Sequence, residues 1–107
     1  MSKKREPKRV EIGGRLTAAR EALGLSQVAI CREIDVSPSR WNQWEMGGKL
    51  PDPLVMAEFS RRYGITMDWI YAGNASGLPH SLVGKVLASS SAQADAKDKP
   101  GAKLGTG

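Results

Sequence analysis

Cysteine and histidine are almost missing from this sequence: Cys31 and His80 are the single examples among 107 residues. One cysteine excludes an internal disulfide, and with one histidine no His/Cys metal cluster can form. Long apolar runs are missing too. None approaches the roughly 18 residues of a membrane span. The N-terminus is basic but lacks the apolar stretch of a secretory signal. A soluble, cytoplasmic protein is the expectation, and one free cysteine fits a reducing compartment. There is also no nucleophile–base pair, no phosphate-cradling loop and no metal-ligand spacing, so neither catalysis nor a cofactor is expected. No stretch alternates with period two over strand length, which makes the fold class all-α.

Positive charge is present, but unevenly. The formal net charge is +5 and the pI is about 9.7, which suits an anionic partner. Lys3, Lys4, Arg5, Lys8 and Arg9 face only Glu6 within the first nine residues, whereas residues 10–73 hold seven basic and eight acidic side chains. The folded part is therefore not a basic block. Any nucleic-acid contact there must rest on a few well-placed groups.

The length suits one small domain. Residues 1–11 read as a flexible basic arm, able to reach phosphates or a minor groove. Residues 12–73 read as the domain itself. Ile12, Leu16, Ala19 and Leu23 form the core stripe of a first helix, which Gly24 stops. Two short helices follow, at about 27–34 and 38–46. Ser26 can cap one and Ser37 the other, with Pro38 at the first helical position. Asp35 is able to turn the chain between them, since Asp tolerates a left-handed backbone. Trp41 and Trp44 lie three apart and point inward. They leave Ser39, Arg40, Asn42 and Gln43 on the other sides. A helix, a tight turn and a helix with an amide-bearing outer face is what reading a DNA major groove needs. Gln43 and Asn42 suit bidentate contact with adenine, and Arg40 with guanine.

Gly47 and Gly48 end that third helix, and Lys49 to Pro53 form a rigid connector. Met56, Phe59, Ser60 and Tyr63 share a face of a fourth helix, Pro53 to Tyr63. Thr66 can cap a short fifth helix, Met67 to Tyr71, with Trp69 and Ile70 buried. Residues 74–88 read as a linker and a short sixth helix near Pro79. Residues 89–107 are poor in large apolar side chains, and disorder is expected there. On its apolar face Cys31 is expected to be plain core. The apolar stretch Leu78–Leu87 permits a homodimer, and 34 trailing residues are too few to enclose a small-molecule pocket.

The stretch Ile12 to Gly73 resembles the Cro/repressor-type helix-turn-helix domain, also called xenobiotic-response-element-like. The resemblance rests on RLTAAREALGLSQ (15–27), VSPSRWNQWEMG (36–47), the Pro51/Pro53 connector and YGITMDWIYAG (63–73), in matching order and spacing. It implies a five-helix, lambda-repressor-like bundle with the motif at helices 2 and 3. It also implies a double-stranded DNA partner, commonly a palindrome bound by two subunits, and a role as transcriptional regulator or repressor acting on the bacterial or phage genome. By position, Ser39, Arg40 and Gln43 would face base edges. Gln27, Asn42 and Lys49 would serve the DNA backbone, and Arg20 would pair with Glu45 to lock the third helix. The sequence departs from the family pattern at four places. Asp35 stands where Gly is usual, and Pro38 removes one potential base contact. Trp41 and Trp44 exceed the usual aliphatics, and Met46 and Gly48 thin the phosphate contacts. Some domains of this shape act instead as protein-interaction modules, antitoxins or adaptors, and the near-neutral fold is compatible with that.

Overall fold

The computed structural model describes residues 7–98, in which five α-helices and one π-turn account for the regular structure. Helix α1 spans Pro7–Ala22, α2 Gln27–Ile34, α3 Pro38–Glu45, α4 Pro53–Tyr63 and α5 His80–Asp98, with the π-turn Asp68–Ala72 before α5. None of these helices is long and apolar enough to cross a membrane.

Side-chain caps set the starts of the three central helices. The Ser26 hydroxyl accepts from the Ala29 N–H at 3.0 Å, Ser37 from Arg40 at 3.1 Å, and the Asp52 carboxylate from Val55 at 3.1 Å. Each satisfies one amide that a helix start leaves without a partner. Pro38 and Pro53 occupy first-turn positions, where a missing N–H costs nothing. Between α2 and α3 the chain reverses at Asp35, whose φ of 57° and ψ of 57° are left-handed. That conformation costs a non-glycine residue roughly 1–2 kcal/mol. The turn is tied by the Val36 N–H donating to the Cys31 carbonyl at 3.1 Å.

Aromatic rings fill the core where α3 meets α4. Trp41 and Phe59 meet edge to face with centroids 5.7 Å apart, and Trp44 and Tyr63 extend the stack on either side. Around them lie Ile12, Leu16 and Ala19 from α1, Ile30, Cys31 and Ile34 from α2, and Trp69 and Ile70.

Three boundaries differ from the sequence expectation. The first helix begins at Pro7, so the segment 7–11 is not an arm: Val10 packs on Gly47, and Arg9 Nε donates to the Gly47 carbonyl at 3.4 Å. Residues 1–6 lie outside the described residues. The fifth helix is a wider turn, in which the Asn74 N–H reaches back to the Asp68 carbonyl at 3.2 Å. It buries the adjacent Trp69 and Ile70 together, while Arg15 of α1 donates to the Ile70 and Tyr71 carbonyls at 3.0 and 3.2 Å and secures its exit. The sixth helix of the sequence reading is α5, and it continues past Ser89 to Asp98. Alanine is the best helix former, and extending a helix is far easier than nucleating one. A stretch such as Ala92, Ala94 and Ala96 therefore propagates a helix that Leu78, Leu82 and Val86 have already anchored on the core. Residues 99–107 lie outside the described residues.

Helices α1 and α3 touch backbone to backbone. Gly13 packs against the Trp44 and Glu45 carbonyls so closely that a Cβ there would collide with both. Gly84, by contrast, has open space around it within α5. The two glycines should respond to alanine with opposite signs in urea unfolding. Gly84→Ala should stabilise by up to about 1 kcal/mol from helix propensity alone. Gly13→Ala should destabilise by about 1–3 kcal/mol, overpacking outweighing the same propensity gain.

Candidate nucleic-acid interface

Eight residues of α3 divide into two faces. Trp41 is 0% exposed, Trp44 2% and Glu45 8%, whereas Ser39, Arg40, Asn42 and Gln43 are all exposed. The division follows from the spacing of 41, 44 and 45, which fall on one side of a helix. Among the described residues, no neighbouring element covers these outer side chains.

A buried carboxylate holds the helix in place. Glu45 Oε2 accepts from Arg20 Nε at 2.6 Å and from the Trp41 indole N–H. Its Oε1 accepts from Arg20 Nη2 at 3.1 Å and from Gln27 Nε2 at 2.9 Å. Arg20 Nη1 also donates to the Leu25 carbonyl at 2.9 Å, which ties down the loop before α2. One carboxylate thus joins α1, α2 and α3. Burial by itself would push the Glu45 carboxyl up. The hydrogen bonds from Arg20, Gln27 and Trp41, with the Arg20 charge, outweigh it and hold the group below the usual carboxylate range. The hydrogen bond to Glu45 in turn raises Arg20. Burial pushes the Cys31 thiol up, away from the reactive thiolate form.

The outer residues are individually constrained. The Arg40 guanidinium lies over the Trp44 ring, 5.1 Å from its centroid, so it leans toward the connector and does not stand straight out. Such a contact contributes about 0.5–1 kcal/mol at an exposed site. Arg40 lines a recess with Lys49, Leu50, Pro51 and Tyr71. The Tyr71 hydroxyl fixes one wall of it by donating to the Pro51 carbonyl at 2.9 Å. Gln43 folds its amide oxygen over Gly48, and any side chain at 48 would displace it. Asn42 directs Oδ1 at Gln27 Nε2, 3.2 Å away. Ser39 is exposed near the start of α3, and Lys49 is exposed where the connector begins.

The Gln27 amide nitrogen is shared between Glu45 and Asn42 in the protein, so a phosphate oxygen would compete with Asn42 for it. The Trp41 indole donor was missed in the sequence, although its i, i+4 relation to Glu45 is a usable signal. The close contacts at Gly13, Gly47 and Gly48, the last two read from sequence only as a helix end, were not foreseen for a different reason. The role of these glycines is to let something else come close, and nothing local announces that. The Arg9 contact with the Gly47 carbonyl adds a cation at the C-terminal end of α3.

A family model described as a helix-turn-helix domain matches residues 11–68, which takes in most of α1, all of α2 to α4 and the start of the π-turn. No curated protein and no solved structure matches the chain.

Because the folded carboxyl of Glu45 lies below its unfolded value, its contribution to stability is present above about pH 4.3 and is lost as pH falls through the folded value. Urea unfolding followed from pH 7 to pH 2 should show this loss, and Glu45→Gln should flatten part of the slope. At pH 7, Glu45→Ala should cost about 3–5 kcal/mol, since it leaves Arg20 without its buried partner.

Proposed function

The chain belongs to the helix-turn-helix domain family, a membership that carries a DNA-binding regulatory role in general, and from that premise we propose that it is a sequence-specific transcriptional regulator of the Cro/repressor type. Helix α3 enters the major groove of double-stranded DNA. The observation that carries this reading is the division of α3: its apolar and acidic side is consumed by the core, while Ser39, Arg40, Asn42 and Gln43 remain on an uncovered face. Eight residues make a rod of about 12 Å, short enough to lie in a groove of about that width.

The proposed roles follow the geometry. Arg40, Gln43 and Ser39 read base edges. Arg40 arrives restrained by Trp44, so less freedom is lost on binding. Lys49 and Asn42 contact the backbone at the two flanks, and the basic start of α1, with Lys8 and Arg9, adds charge near the C-terminal end of α3. The near-neutral domain fits this division of labour, with few phosphate contacts and most of the choice resting on α3. The protein is a repressor in the cytoplasm of a bacterium or its phage, working at the nucleoid, and two copies bind a palindromic operator. It binds and does not catalyse, and no small ligand is needed. A second reading, a protein-interaction module of the antitoxin or adaptor kind, is favoured by two exposed apolar side chains, Leu50 in the recess at 55% and Leu54 on α4 at 82%.

Selection from a random duplex pool tests the primary reading. A recurring site, palindromic if two copies bind, is expected, and retention of no sequence above bulk DNA at moderate salt would sink it. Arg40→Ala and Gln43→Ala should each relax discrimination at one base pair by about 1–3 kcal/mol. Lys49→Ala should weaken all duplexes alike and reduce the salt slope by about one. Unchanged DNA binding in all three variants would overturn the assignment of α3 as the reading helix, and retention of no duplex would leave the interaction module.

A further inference from the structure

Gln27 opens α2, and its amide nitrogen is shared between Glu45 Oε1 at 2.9 Å and Asn42 Oδ1 at 3.2 Å. The orientation of these amides is dictated in sequence. An ionised carboxylate can only accept hydrogen bonds. Gln27 must therefore turn its nitrogen, and not its oxygen, toward Glu45. The same nitrogen faces Asn42, so Asn42 must turn its oxygen inward. Its Nδ2 is then the other end of the amide, on a residue that is exposed. What passes from the Arg20–Glu45 pair to the outer face is hydrogen-bond polarity: cation, anion, amide, amide.

We infer that Gln27 is a positioning residue that presents Asn42 to DNA as a hydrogen-bond donor. This rests on the DNA-reading role proposed above and assigns the chemistry of one of its contacts. With Oδ1 already accepting from Gln27, Asn42 offers the duplex the hydrogens of Nδ2. Its target is an acceptor on the duplex, either a phosphate oxygen or a groove acceptor such as a purine N7, guanine O6 or thymine O4.

A double-mutant cycle on the selected duplex tests the inference. Wild type, Gln27→Ala, Asn42→Ala and the double variant are titrated by fluorescence anisotropy against that site and its single-base-pair variants. Gln27→Ala should weaken binding about three- to tenfold when Asn42 is present, the worth of one hydrogen bond. It should weaken binding less than about twofold when position 42 is already alanine. A loss concentrated at one base pair assigns a base acceptor, and an equal loss at every site assigns a phosphate oxygen; both uphold the donor role. The same factor in both backgrounds overturns it. Urea midpoints measured in parallel separate the lost Gln27–Glu45 bond, whose effect on folding persists whether or not Asn42 is present. Side-chain amide resonances of the free protein give a readout without DNA. Those of Gln27 should shift in Asn42→Ala, and unshifted resonances overturn the inference. Should wild type select no site, the DNA reading itself fails, and the resonances still judge the link between Gln27 and Asn42.

Discussion

The Glu45 carboxylate takes hydrogen bonds from Arg20, Gln27 and Trp41, one side chain on each of the three N-terminal helices. A buried charge is tolerable only when it is paired and its lone pairs are satisfied. Here both oxygens are satisfied, and among the described residues no buried side-chain polar atom lacks a partner. The arrangement fixes geometry more than it adds net stability, because desolvation offsets much of the attraction. Its value lies in direction. Three helices must hold one mutual orientation for the four bonds to coexist, and the outer face of α3 inherits that orientation.

Packing reinforces the same constraint by two opposite means. On one side α3 is held close: Gly13 lets the α1 backbone come up against the α3 carbonyls, and Gly47, at a φ of 82°, admits Val10. On another side it is held by bulk, since Trp41 reaches Phe59 of α4 across an edge-to-face contact. A small residue sets a minimum approach and a large one fills the distance that remains. In a domain this small, each such contact is a sizeable share of the total stability.

Much of this was legible locally and some was not. Ser26, Ser37 and Pro38 mark helix starts because capping is a chemistry of neighbours, and the spacing of Trp41 and Trp44 shows their inward side because helical periodicity is a local property. Asp35 is visible as a turn for the same reason. Gly13 is not visible, since its role depends on a carbonyl some thirty residues away in sequence. The extension of α5 past Ser89 was hidden because composition speaks to the entropy of ordering and not to a helix already anchored upstream. On the outer face, residue type indicated which side chains are exposed. It did not indicate that Arg40 leans on Trp44, or that Gln27 turns inward, because those depend on which partner each flexible side chain meets.

Helix α5 packs against α1, with its Val86 fully buried and Leu78, just before it, nearly so. It falls outside the stretch shared with the family, yet it closes the back of the helix from which Arg20 projects. The segment that makes this chain a member of its family and the segment that makes it a finished hydrophobic body are therefore not the same length. A chimaera assembled by transplanting the shared stretch alone would bring the reading head and leave behind its backrest.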